Sequence, residues 1–308
     1  MSLQLAQQSL RRMLGSGGII DCRRDSLGFE PRSLLALLVA LIVATACSGG
    51  GSPTPTLDPP TGTASPRRPS PTAFPTFTPT PTLQAGSEIV VGGDLRTRAA
   101  PTTQSAVVST LHDLQTVQIA RAVRGENWLV GTQNWLSTIP DWTSTWYQLQ
   151  DNSYVYAAFV FLLQPGEMSP LADAHGQEKW VDVNVTTQTA TAMVGDQAIY
   201  TALVSTGSPD FPSPQGTHKI EKDGRLAVER MTATQAGYNP SQARYDVERV
   251  LFTQYYDTGG DALHLNYWRP EEVFGHQATS HGCVGMQVHD AQYFWLFGSP
   301  GMRVELHS

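Results

Sequence analysis

Thr279-Ser280-His281-Gly282-Cys283-Val284-Gly285-Met286, with a second histidine, His264, upstream, is the stretch that decides how this chain is read. A thiol is weakly ionised at neutral pH, but its thiolate is a strong nucleophile once an imidazole takes the proton. Glycine directly before the cysteine lets the backbone turn sharply and lets a carbonyl approach closely. It also lets the amides of Gly282 and Cys283 point at a developing oxyanion. These are the parts of an acyl-transfer site that works through a thioester. A single cysteine is more often a small buried hydrophobe. Here, however, Cys283 is the only cysteine downstream of Cys47, and it lies in a run of His, Ser and Gly where a core cysteine is not expected.

The order Ser-His-Gly-Cys-hydrophobic, with His264 sixteen positions before Ser280, resembles the signature of the L,D-transpeptidases, whose catalytic domain is of the YkuD type. Trp180-Val181-Asp182-Val183-Asn184 followed by Gln188-Thr189-Ala190 is similar to that family's opening strand. Val204-Ser205-Thr206-Gly207, Pro214-Gln215-Gly216-Thr217-His218 and the approach Gly275-His276-Gln277-Ala278-Thr279 extend the likeness over roughly residues 178–307. Two positions depart from the pattern. Gly285 stands where Asn or Arg is usual, so an anchoring side chain is missing that Gly285→Asn is expected to restore. Leu265 follows the upstream histidine, where Gly or Ser is common.

The resemblance implies a set of roles. Cys283 is the nucleophile, His264 the base, and His281 lines the acyl pocket or supports the loop that Ser280 holds by hydrogen bonding. The amides of Gly282 and Cys283 are candidates for the oxyanion hole. Trp268, His276 and position Gly285 are expected on the substrate side, although His276 also reads as an ordinary surface-loop histidine. His218 reads as structural or pocket-lining. The implied reaction needs no metal or cofactor. The thiolate attacks the carbonyl between the third residue of a peptidoglycan stem peptide and its terminal D-alanine. A side-chain amine of another stem then takes the acyl group to give a 3→3 cross-link. Carbapenems are expected to acylate the same cysteine. Two alternatives stay open: an L,D-carboxypeptidase in which water resolves the thioester, and a non-catalytic wall-binding lipoprotein, which Gly285 and Leu265 favour.

Working outward to the N-terminus, Leu34 to Ala46 is an unbroken apolar stretch preceded by Arg23, Arg24 and Arg32. A membrane-spanning helix needs about 20 residues, and this shorter run suits a signal-peptide core. Ala44-Thr45-Ala46-Cys47 then resembles a bacterial lipobox, which implies lipidation of Cys47 and a place on the outer face of the cytoplasmic membrane or in the wall. An ordinary secretory signal or a short anchor with Cys47 incidental is the other reading. Residues 1 to about 30 exceed what such a signal needs, so the true start is expected further downstream.

From residue 48 to 87 the chain is rich in Pro, Thr, Ser and Gly, and ten of its 21 prolines fall between Pro53 and Pro81. Such a segment builds no core and reads as an extended spacer, reaching on the order of 100 Å at ~3 Å per residue. Residues 88–163 carry short alternating runs: Val107–Leu111, Thr116–Ile119, Trp146–Leu149 and Tyr154–Tyr156. Asp94-Leu95-Arg96-Thr97-Arg98 ahead of them is similar to the start of bacterial SH3-like domains. Between them, a loop from Trp128 to Thr145 carries Trp128, Trp135 and Trp142, which read either as a wall-binding platform or as packing residues.

A Pro/Gly-containing linker over 164–177 leads to the region 178–308. There Val181–Val185, Thr191–Val194, Ala198–Val204 and Arg303–Leu306 read as strands, and Tyr245–Tyr256 as a strand pair or a strand with a flap. Asp290 to Phe297 reads as a helix with Asp290 near its start as the cap. The fold class is therefore mainly β: a small SH3-like barrel, then a β-rich sandwich with one or two short helices. A formal charge of −7 argues against a nucleic-acid binder, whose phosphate contacts need a basic face.

Overall fold

The computed structural model describes residues 86–131, 136, 139–239, 241 and 244–308, all within one compact unit. The stretch expected to be a signal, Cys47 of the lipobox-like sequence and the Pro/Thr-rich segment lie outside the described residues.

The N-terminal part holds β1 (Glu88–Val90), β2 (Leu95–Arg98), β3 (Val107–Leu111), β4 (Ile119–Arg124), β5 (Thr145–Leu149), β6 (Tyr154–Tyr156) and β7 (Val160–Leu162). Five of them form a sheet in the order β3-β2-β6-β5-β4, and β1 pairs with β7. Val90, Val117, Leu149, Val155 and Val160 close a small core of its own. The fourth strand begins at Ile119, later than the sequence pattern suggests, and Thr116 forms only a bridge to Ile89.

The rest is one curled nine-stranded sheet with few helices. Its members are β8 (Lys179–Asn184), β9 (Thr189–Val194), β10 (Gln197–Ser205), β11 (Gly216–Lys219), β12 (Arg225–Thr232), β13 (Asp246–Tyr255), β14 (Ala262–Leu265), β15 (Val284–Met286) and β16 (Arg303–His307). Their order is β11-β16-β8-β9-β10-β15-β14-β13-β12. Alternation explains the elements: in β8 Val181 and Val183 turn inward, and in β9 Ala190, Ala192 and Val194 do so while the threonines face out. Residues 246–255, read as a pair or a flapped strand, form the single long strand β13. It is left-handed at Arg249 and Phe252, a backbone setting that breaks the regular alternation on which the sequence reading relied.

The helix α1 (Val288–Phe297) starts earlier than expected, and Asp290 is not its cap. Gln287 occupies that position without a side-chain bond. The Asp290 carboxylate instead accepts the hydroxyl of Tyr200 from β10 at 2.5 Å, and burial pushes its pKa up to about 6. A tertiary partner has outcompeted the local one.

The two parts share a core. Trp146, Tyr156 and Phe161 pack in the same cluster as Phe252 and Phe294. Trp128 stacks edge-on to Tyr156 at 5.6 Å, lies 5.8 Å from Phe159, and carries the Arg249 guanidinium over its ring at 5.0 Å. Trp128 and Trp142 are thus packing residues, while Trp135 lies outside the described residues. The segment read as a linker is tied down too. Glu167 pairs with His289 at 2.9 Å, and Tyr293 donates to the Met168 carbonyl at 2.9 Å.

Candidate active site

The site is built on two neighbouring strands. β14 and β15 run parallel, with Leu263 opposite Val284, His264 opposite Gly285 and Leu265 opposite Met286. Cys283 is the last loop residue before β15. A cavity of about 280 Å³ is lined by Cys283, His264, His281, Ser280, Trp268 and Arg269, with others. Leu136, from the loop of the N-terminal part, closes one wall of it.

The loop carrying Cys283 is held at every residue. Ser280 bridges to Gly207, its N–H donating to the Thr206 carbonyl at 3.0 Å. Its Oγ donates to the Cys283 carbonyl at 2.6 Å and accepts the Gly282 N–H at 3.1 Å. That second bond engages the Gly282 amide, so it is not free for an oxyanion in this arrangement. Ser213 Oγ donates to the Gly282 carbonyl at 2.5 Å and Tyr238 donates to that of His281 at 3.2 Å. Gly282 is left-handed at φ +119°, and a Cβ there would collide with Asp261 Oδ1. Only glycine fits.

His264 is 3% exposed, and its Nδ1 lies 2.8 Å from the Leu265 carbonyl. A carbonyl only accepts, so Nδ1 carries the proton and Nε2 keeps its lone pair. The contact uses the Leu265 main chain, so the leucine side chain, fully buried behind it, does not disturb it. Burial pushes the imidazole down to about 4, against the partial support of the Leu265 carbonyl. Trp268 stacks on the ring at 5.6 Å and 17°.

Cys283 is a free thiol. Burial first, then the charge of Asp261, push its pKa up to about 12, while backbone bonds from Ala262 and from Cys283 itself pull it down. Its acceptor is the Gly260 carbonyl at 3.8 Å rather than His264. The resting site is therefore a neutral thiol and a neutral imidazole, and a proton must move when a substrate arrives. Asp261 is itself raised to about 7 by burial and then by Asp257.

His281 is half-buried among Phe211 (4.6 Å) and Tyr245 (4.9 Å), and burial followed by the Arg269 charge lowers its pKa. His276 is exposed and does not reach the cavity. His218 sits elsewhere, its Nε2 3.0 Å from the Pro214 carbonyl. Gly285 lies opposite His264, and the space above it is occupied: a Cβ there would meet Asn266 Nδ2 at 2.7 Å. Asn266 and the aromatic Tyr245 were not foreseen. Asn266 could have been found from alternation, since residues two apart on a strand share a face.

Among solved structures, the chain is similar to an L,D-transpeptidase from Mycobacterium smegmatis at 16% identity, covering 70% of this chain and 77% of that one, with a TM-score of 0.39. L,D-transpeptidase 3 from Mycobacterium tuberculosis, in complex with a faropenem-derived adduct, is 12% identical over 73% of this chain and 82% of its own, TM-score 0.37. The catalytic domain of the E. faecium L,D-transpeptidase is 18% identical over 43% of this chain and 99% of its own, TM-score 0.37. No curated protein matches. The model of the YkuD L,D-transpeptidase catalytic domain matches residues 178–306, the part of the chain that holds Cys283 and His264.

Proposed function

We propose that the protein is a peptidoglycan L,D-transpeptidase that forms 3→3 cross-links through a thioester on Cys283. The observation that carries this reading is the placement of Cys283, directly before β15, and of His264, on the parallel neighbour β14, along one cavity within residues matching the YkuD domain. The Cys283 sulfur attacks the scissile carbonyl as His264 Nε2 takes the thiol proton. Nε2 then gives that proton to the departing amine of the terminal D-alanine. An amine of a second stem attacks the thioester, its proton passes to Nε2, and the sulfur leaves to recover the thiol. The Cys283 amide is the oxyanion donor left by the Ser280–Gly282 bond, and His281 shapes the acyl pocket. A second cavity beside Cys283, lined by Glu221, Glu229 and Asp257, supports a cationic amine rather than water as acceptor.

The N-terminal module reads as SH3-like, and Cys47 as the lipidated residue that holds the domain outside the cytoplasmic membrane. The test of the enzyme is intact-mass analysis after incubation with a carbapenem and with a tetrapeptide stem. One adduct that Cys283→Ala loses while keeping its fold, followed by a cross-linked dimer of stems, is expected. A Cys283→Ala variant that is still acylated sinks the mechanism, and release of free tripeptide alone makes the enzyme a carboxypeptidase.

A further inference from the structure

Cys283 lies between two cavities of opposite charge. The one of about 280 Å³ holds Arg269 and Asn266 with the two histidines, and among the described residues no carboxylate lines it. The other, about 310 Å³, is walled by Glu221, Glu229 and Asp257, and no cation lines it. In the first, Arg269 donates from Nη2 to the Thr279 carbonyl at 3.2 Å. Its Nε–H has no acceptor, and none of the ion pairs among the described residues engages it. A guanidinium offers five donors in a planar fork matched to a carboxylate, so one that lines a cavity without an anion is incomplete. Asn266 is incomplete in the complementary sense. It is 3% exposed, and its Oδ1 has no donor. Buried polar groups are normally paired, and each orphan calls for a reason.

The unmet groups are thus one donor, the Arg269 Nε–H, and one acceptor, the Asn266 Oδ1, on two side chains that line the same cavity. A chain-terminal amino-acid residue carries both complements, a carboxylate and the N–H of its own peptide bond. We propose that Arg269 and Asn266 form the subsite for the C-terminal residue of the acyl donor, Arg269 taking its carboxylate and Asn266 Oδ1 its N–H. The acids of the second cavity repel the same carboxylate, so the charge on either side of Cys283 sets which way the donor lies. This inference rests on the acyl-transfer function proposed above.

The experiment uses the full chain and two tetrapeptide donors, identical except that one ends in a free carboxylate and the other in a carboxamide. Thioester formation on Cys283 is followed by intact mass, and kcat/KM by release of the terminal residue. The wild type is expected to prefer the acid by about 10–100-fold, chiefly through KM, as befits a charge-assisted bond. Arg269→Gln should bring the two donors within about twofold of each other, and Arg269→Lys should recover part of the preference. Asn266→Ser should raise KM for both donors alike, because the N–H is common to them. A wild type that takes both donors equally, or a preference that survives Arg269→Gln, overturns the subsite without touching the mechanism. Absence of a thioester with either donor overturns the acyl-transfer function, and the subsite with it.

Discussion

Asn266 fills the space above Gly285. A Cβ built at Gly285 would lie 2.7 Å from Asn266 Nδ2 and 2.9 Å from Asn266 Cβ. Gly285 lies on β15 and Asn266 directly follows the neighbouring β14, its N–H donating to the Met286 carbonyl at 2.9 Å. A side chain at the end of one strand occupies the room that a glycine on the other leaves. The absent Asn or Arg at position 285 is therefore not a vacancy waiting to be filled.

Gly285→Asn is accordingly expected to destabilise the fold by ~1–3 kcal/mol, the usual cost of overpacking, and to lower acylation rather than raise it. Adding Asn266→Gly in the same chain should recover much of the loss by giving the new side chain its room. Urea unfolding and acylation rates of the single and double variants test this. An acylation rate raised by Gly285→Asn alone would show that Asn266 yields freely.

His264, held down to about 4 by burial, stays an available base well below neutrality. The acid limb of the acylation profile should fall near pH 4, not near the ordinary histidine value of about 6.5. For stability the sign follows from proton counting. Between those values the unfolded chain binds the extra proton, so the contribution is full above about 6.5 and is lost as pH falls toward about 4. His264→Ala should slow acylation by roughly 10²–10⁴-fold. A pH–rate profile centred near 6.5 would place the working base elsewhere.

Asp261 acts in the opposite direction. Raised to about 7, it binds its proton more tightly in the fold. Its contribution is full below the ordinary aspartate range and declines as pH rises through about 7. Asp261→Asn should remove that decline, so the gain in urea midpoint is larger at pH 8 than at pH 5. The ionised carboxylate also raises the Cys283 thiol, so the variant should alkylate with iodoacetamide several-fold faster at pH 8, one pKa unit being worth about tenfold in thiolate. Slower alkylation would mean that Asp261 supports the thiolate instead of opposing it.

Cys47 is expected to carry lipid. Metabolic labelling with a fatty-acid analogue should mark the wild type at the membrane. A Cys47→Ala variant that keeps both its label and its membrane fractionation would remove the anchor from the account.

Much of the nine-stranded sheet was legible because alternation is a local property. Val181 and Val183, or Ala190 and Ala192, announce a face that must be buried. β12 carries the alternating burial of an edge strand, yet it was missed because Arg225, Glu229 and Arg230 mask its pattern. The bends in β13 were invisible because nothing in Arg249 or Phe252 marks a left-handed residue. The identity of Trp128 as a packing residue depended on Tyr156, Phe159 and Arg249, which lie far away in sequence.

The sequence by itself marked residues 178–308 as a β-rich domain and put Cys283 and His264 forward as its candidate reactive pair. A nucleophile, a glycine turn and a distant histidine form a pattern written in consecutive residues and one spacing. Only the tertiary structure decided the electrostatic state of that pair. The burial that holds Cys283 as a thiol and His264 as a neutral imidazole comes from strands packed around them. It also decided that Asn266 stands over Gly285 and that Arg269 lines the cavity without a counter-ion among the described residues. Desolvation and steric occupancy are sums over neighbours brought together by folding, and no stretch of contiguous residues contains them.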